Sequence, residues 1–406
     1  MLSLIVVNLI FLTLVILFNG FIAEKLLFPN NPEYIVLLGI IVVIDATSAL
    51  PLAKLRAEEN AKKFAFVQLL GIGINIGLNL IFMLIVFQPA TQNAEVGVRF
   101  ILIANLAASL VKPLVLYKDF LQLKWNWDTR LVRSMVKYSF PLALAGFAFI
   151  INETVDRILL KHLTFKQATT EMTSEAALTF AESQVGIYSA SYKLAMLVTI
   201  LLQAYRYAAE PFFFAQAKSK DRNNTYVKVM NYFVAAVFVC FLGVALNLDI
   251  FKYFIPNSSY WEGLKIVPIL LLANVFSGIY INQSIWYKLS GQTKYGAFIA
   301  TGGAVLTLTL NFIFIPIYGY MACAWATFIV YGGQMIASYW LGQKHYPIPY
   351  NLRKFALYSS VAIAVYLLLN WVDISPGITQ ILLHNFVILL YIGLVYWLEK
   401  PSVSKR

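Results

Sequence analysis

Lys62-Lys63-Phe64-Ala65-Phe66, running on to Leu78-Asn79-Leu80-Ile81-Phe82, returns 232 residues later as Lys294-Tyr295-Gly296-Ala297-Phe298, running on to Leu310-Asn311-Phe312-Ile313-Phe314. In both copies a basic loop enters a long apolar run, and an Asn sits at the same depth in it. The chain therefore reads as two related lobes of membrane helices. Repeats of this kind place a substrate site where the two halves meet. Extending the same offset sets the runs 2-20, 34-53, 64-87 and 98-117 against 226-247, 264-287, 295-316 and 319-341. The runs 139-160 and 185-213 are left without N-terminal counterparts, so the first lobe reads as two helices short of the second and the chain as a form lacking them.

Composition agrees with the repeat. Of 406 residues, 60% are hydrophobic and only 12% charged, and the mean hydropathy is +0.73. Such a balance excludes an ordinary soluble domain. Apolar runs long enough to cross a bilayer fall near 2-20, 34-53, 64-87, 98-117, 139-160, 185-213, 226-247, 264-287, 295-316, 319-341, 355-371 and 378-398. An all-α polytopic membrane protein of about twelve spans follows. The expected organisation is an incomplete lobe over 1-117, an amphipathic connector over 118-138, a six-helix lobe over 139-341, and an additional helix pair with its tail over 342-406. The first run has no basic leader and no small-residue cleavage site, so it reads as a retained span.

Charge sets the orientation. Of the 31 Lys and Arg, 21 lie in alternate loops and the tail, and cytoplasmic loops are the ones that keep positive charge. Both termini are therefore expected in the cytoplasm. The net charge of +12 is explained by this topology and by attraction to anionic headgroups, so a nucleic-acid partner is not implied. Segment 118-137, with Trp125, Trp127, Leu131 and Met135 among basic residues, reads as an interfacial helix or a plain connector. Cys240 and Cys323 lie in apolar runs, His162, His345 and His384 are scattered, and no phosphate-binding GxxxxGK[ST] run occurs, so neither a cofactor, a metal site nor an ATPase is implied.

Three stretches carry a resemblance. Pro141-Leu142-Ala143 through Asn152-Glu153-Thr154-Val155-Asp156-Arg157-Ile158-Leu159-Leu160 resembles the P-L…DR-x-L helix of polysaccharide-type flippases. Val185-Gly186-Ile187-Tyr188-Ser189-Ala190-Ser191-Tyr192-Lys193-Leu194-Ala195 is similar to their next helix. Asn311-Phe312-Ile313-Phe314-Ile315-Pro316-Ile317-Tyr318-Gly319-Tyr320 through Ala326-Thr327 resembles their N-x-x-x-I-P-x-Y-G-x-x-G-A-A-x-A-T turn, with Met321-Ala322-Cys323 departing from the small-residue pattern. The resemblance is to the lipid-linked oligosaccharide flippase branch of the multidrug/oligosaccharidyl-lipid/polysaccharide (MOP) exporter superfamily. It implies two six-helix lobes plus an extra pair, of which this chain lacks the first two helices. It also implies residence in a bacterial inner membrane, a polyprenyl-diphosphate oligosaccharide as substrate, and membrane lipids and polysaccharide-assembly proteins as partners.

Polar groups inside the spans are the candidate site residues, because a charge at mid-bilayer costs about 2.5-3.5 kcal/mol on insertion scales. Arg206 is the first candidate for an anionic headgroup and Lys193 the second, since Arg makes paired contacts to phosphate; Gln203 and Asn152 complete the set. Gln203, Arg206 and Glu210 share one helix face, although Arg206 also reads as snorkelling to headgroups or pairing with Glu210. Asp45, Asp156 and Glu210 are candidates for coupling to an ion gradient. Asp45 reads equally as a helix contact, with Pro51 expected to disturb its helix, and Glu153 and Arg157 read as an i,i+4 ion pair. Lys112 and Lys265 read as interfacial anchors, Gly73 and Gly77 as a close-packing face, and Asn75, Asn79, Asn282, Gln283 and Asn311 as helix contacts or sugar ligands. The aromatics Tyr188, Tyr192, Tyr205, Tyr207, Phe212, Phe213 and Phe214 read as sugar or polyprenyl contacts, or as packing. A multidrug/cation antiporter is the nearest rival. An integral-membrane polymerase would need a catalytic group that the longest outer loop, 161-184, does not offer, and a remnant without function is the remaining alternative.

Overall fold

A computed structural model describes residues 2-58, 60-88, 94-121, 128-372 and 377-400. Among them there are helices and no strands. Twelve helices are long: α1 (Leu2–Lys25), α2 (Pro32–Ala57), α3 (Ala61–Ile81), α4 (Ala94–Val115), α5 (Thr129–Ala168), α6 (Ser174–Gln216), α7 (Arg222–Ala245), α8 (Val267–Gln283), α9 (Lys294–Tyr318), α10 (Tyr320–His345), α11 (Leu352–Trp371) and α12 (Ile378–Glu399). Only helices satisfy every backbone N–H and C=O internally, which hydrocarbon requires of a spanning segment. Ten of the twelve are apolar enough by composition to cross a membrane, and the chain is a multi-pass membrane protein. The two below that mark, α5 and α10, carry Asn152, Glu153, Asp156 and Arg157 on one and Gln334, Ser338 and Gly332-Gly333 on the other. Asn152, Glu153 and Gln334 among these line the polar cavity described below, while Ser338 accepts from Trp286 at 3.2 Å.

The chain forms two compact units, 1-140 and 141-406. In the first, α1 packs on α2, α2 on α4, and α3 on α4. Leu52, Leu55, Val67 and Leu116 are its buried apolar cluster, and α2 runs through Pro51 to Ala57 without a break. In the second, the counterparts at an offset of 232 repeat the pattern: α7 packs on α8, α8 on α10, and α9 on α10. The echoed Asn does the same thing in each copy, the Asn79 amide donating to the Asn75 carbonyl at 2.8 Å and that of Asn311 to the Thr307 carbonyl at 2.9 Å. Helices α11 and α12 pack on α7, where Tyr391 donates to the Tyr358 carbonyl at 3.2 Å. Large apolar side chains such as Phe238, Phe241, Leu242, Leu270 and Leu271 close the core of the second unit.

Several expectations need correction. Helices α5 and α6, at 40 and 43 residues, far exceed their apolar stretches, so the outer loop read over 161-184 is mostly helix. Lys161 and Glu182 join the two extensions at 3.0 Å. The connector is likewise not a separate helix from Thr129 onward, because α5 begins there; Trp125 and Trp127 fall outside the described residues. Gly73 and Gly77 have nothing within 4 Å of where a Cβ would stand, so they form no packed face within the described chain. The contact of α3 with α4 instead runs through Gly71, next to the Ala108 carbonyl, and through Asn75, which donates to Asn105 at 2.7 Å.

Candidate functional site

The second unit holds a cavity of about 550 Å³. Helix α5 gives it Asn152 and Glu153, α6 gives Gln203, Arg206 and Tyr207, and α8 gives Asn274, Ser277 and Tyr280. Lys288, on the short helix Ile285–Leu289, and Tyr331 and Gln334 of α10 complete the polar wall. Of the face expected of Gln203, Arg206 and Glu210, the first two line this cavity and Glu210 does not. A second, apolar groove beside α11, lined by Met230, Met335, Trp340 and Phe355, has no charged group among its described lining residues.

Asn152 sits at the floor, 8% exposed. Its amide donates to the Ala300 carbonyl at 3.2 Å, and its oxygen accepts from Thr307 at 2.9 Å. This close approach depends on Gly303, where an added Cβ would collide with Gln334 and meet Asn152 at 3.4 Å. Asn152 is therefore both cavity lining and a clamp between α5 and α9.

The carboxylates are arranged differently from the i,i+4 expectation. Glu153 does not pair with Arg157 through its side chain; its oxygens accept from Tyr192 at 2.9 Å and from Tyr331. Arg157 donates instead to Asp156 at 3.1 Å and to the Glu153 carbonyl, and its guanidinium lies 4.4 Å from the Tyr192 ring centroid. Asp156, 2% exposed, takes a further hydrogen bond from Tyr188. The buried carboxylate of Asp156 and the half-buried one of Glu153 thus both take phenolic hydrogen bonds, as removing charge from water demands. Tyr188 and Tyr192 serve this network and are not free to stack on sugars.

At the other end of the wall Glu210 accepts from Lys288 and lies 3.6 Å from Arg206. Lys193 is separated from this group. It lies 13 residues before Arg206 on α6, on a different side, and lines a depression with Phe254, Asn257 and Tyr260. Asp45 belongs to the first unit, where Lys112 donates to it at 2.9 Å. That pair replaces the reading of Lys112 as an interfacial anchor. Of the seven candidates, Asn152, Gln203 and Arg206 line one cavity, Glu210 holds a charge at its edge, Asp156 lies behind its wall, and Lys193 and Asp45 lie elsewhere.

Glu153 and Lys288 line the cavity and were not among the candidates. Helical spacing pairs Glu153 with Arg157, and Lys288 is one of the 21 basic residues that read as loop and tail charge. The signal for Lys288 was its place at the very end of an apolar run.

No family model matches this chain, and no curated protein matches it in sequence. Among solved structures, the lipid II flippase MurJ in an inward closed conformation matches over 97% of this chain and 82% of its own, at 16% identity and a TM-score of 0.64. An outward-facing MATE multidrug resistance transporter of the MOP superfamily matches over 89% of this chain and 77% of its own, at 15% identity and a TM-score of 0.53. A MATE protein in complex with MaD5 matches over 89% and 78%, at 14% identity and a TM-score of 0.51. The chain therefore has the fold that MurJ and the MATE transporters of the MOP superfamily share.

Proposed function

We propose that this protein is a flippase that carries a lipid-linked, polyprenyl-diphosphate oligosaccharide across a bacterial inner membrane for polysaccharide assembly, with both termini in the cytoplasm. The observation that carries this reading is the cavity in which Asn152, Gln203, Arg206 and Lys288 converge. Hydroxyls and a diphosphate cannot cross hydrocarbon without partners. Amide and hydroxyl groups along the wall suit sugars, and a guanidinium with a nearby ammonium suits phosphate oxygens. The apolar tail stays in lipid, and alternating access moves the head. The fold shared with a lipid II flippase supports this reading.

The rival, a multidrug/cation antiporter, draws on the MATE likeness and on Glu153 in the cavity wall. Glu153 accepts two phenolic hydrogen bonds, whereas the two cations Arg206 and Lys288 share the single carboxylate of Glu210, and that excess of positive charge favours an anionic head. The carboxylates Asp45, Asp156 and Glu210, with Glu153, are the groups through which transport would be coupled to an ion gradient. Rescue of surface polysaccharide in a flippase-deficient strain tests the proposal. Wild type restores the polysaccharide, and Arg206→Gln with Lys288→Gln does not; rescue by both alike, or by neither, contradicts it. Transport indifferent to collapse of the proton and sodium gradients would remove the coupling step.

A further inference from the structure

Among the described residues, Arg206 and Lys288 are the cations of the cavity wall, and each already has an anion. Lys288 donates to Oε1 of Glu210, and the Arg206 Nε lies 3.6 Å from the same oxygen. The carboxylate stands one turn beyond Arg206 on α6, while Lys288 comes from the short helix that follows α8. The bridge thus ties the cytoplasmic end of one helix, as the loop charges orient it, to the end of another. Three charges share the group, leaving a net charge of one. The side chains are 56%, 38% and 27% exposed for Arg206, Glu210 and Lys288, so the group is not locked in the core, and its two cations line the cavity.

An oxygen held between a guanidinium and an ammonium is the place a phosphate oxygen takes in recognition by the same two groups. Half-exposed ion pairs are worth little each, so a dianionic ligand competes readily for both cations. Resting on the proposed function, we infer that Glu210 is a resident counter-anion: it holds Arg206 and Lys288 in place while the cavity is empty and is displaced when a diphosphate enters. Displacement releases the tie between α6 and the helix bearing Lys288, so arrival of the head and loosening of that corner become one event. Glu210 also sets a threshold. A ligand with a weaker or single anionic charge fails to displace it, and the cavity discriminates for the diphosphate.

The test is binding to the full chain in lipid nanodiscs, with two probes: inorganic pyrophosphate and an isoprenyl diphosphate incorporated in the bilayer. Glu210→Gln frees both cations and tightens the isoprenyl diphosphate by about three- to tenfold, the range a small group of partly exposed ion pairs supplies. Pyrophosphate competing with it marks the headgroup as the recognised part, and tightening confined to the lipid probe assigns recognition to the lipid-borne form. Glu210→Asp, which keeps the charge on a shorter arm, gives a smaller gain and covers a Gln variant that does not fold. In an Arg206→Gln/Lys288→Gln background the Glu210→Gln effect disappears. Unchanged or weaker binding in both Glu210 variants, or a gain that persists without the two cations, overturns the exchange alone. A wild type that binds neither probe removes the functional reading along with it.

Discussion

The i,i+4 spacing of Glu153 and Arg157 is the favourable order for a helix pair, yet the side chains go elsewhere, because α6 and α10 bring three tyrosines to the same stretch of α5. Tyr192 and Tyr331 hold Glu153, and Tyr188 with Arg157 holds Asp156. Spacing along one helix cannot reveal donors that arrive from others. Glu153→Ala leaves two phenols without an acceptor and lowers stability by about 2 kcal/mol, read as earlier thermal unfolding in detergent; Glu153→Gln keeps an acceptor and costs less. Asp45 and Lys112, read separately from the sequence, form one pair at 2.9 Å. Asp45→Asn, which keeps an acceptor in a partly exposed pair, therefore lowers stability by no more than about 1 kcal/mol, and the exchange Asp45→Lys with Lys112→Asp recovers most of what Asp45→Lys alone loses. An Asp45→Asn protein of full stability that no longer responds to an ion gradient would instead assign Asp45 to coupling.

Existence and order of the helices were legible in the sequence, because apolar runs of bilayer length admit few other structures. Their ends were not, because α5 and α6 continue into polar segments that hydropathy assigns to a loop. One element boundary is fixed by backbone geometry. Gly319, between α9 and α10, has φ 56° and ψ −137°, a region nearly closed to residues with a Cβ. Gly319→Ala costs about 1-3 kcal/mol, measured by thermal unfolding, while Gly73→Ala, in open space, costs nothing measurable. At the start of α12, Gln380 donates to Asp249 at 3.3 Å, and Lys252 donates to it at 2.8 Å. The Lys252 hydrogen bond holds the Asp249 carboxyl below the usual carboxylate range. A depressed carboxylate contributes stability above its unfolded pKa of about 4 and loses it as pH falls through the lower folded value. The hydrogen-exchange protection factor at the start of α12, corrected for the intrinsic rate at each pH, stays constant at neutral pH and falls only below that range; a loss of protection near pH 6 would contradict this.

For the whole molecule, the repeat at 232 residues was the most informative thing in the sequence. It anticipates the matched packing of α1-α2, α2-α4 and α3-α4 with α7-α8, α8-α10 and α9-α10, and the matched amide of Asn79 and Asn311. Arg206 and Gln203 were legible by the same logic, a shared helix face. Lys193 shows the limit of that logic, since its angular position on α6 carries it into a different depression. The central claim, that the cavity bearing Arg206 and Lys288 conducts an oxyanionic lipid head, is tested most directly by flipping of a fluorescent isoprenyl-diphosphate oligosaccharide in proteoliposomes, read with a membrane-impermeant quencher. Wild-type vesicles are predicted to expose the inner-leaflet probe to the quencher, and vesicles with Arg206→Gln/Lys288→Gln to protect it as protein-free vesicles do. Protection in wild-type vesicles, or equal exposure with the double variant, would contradict the account.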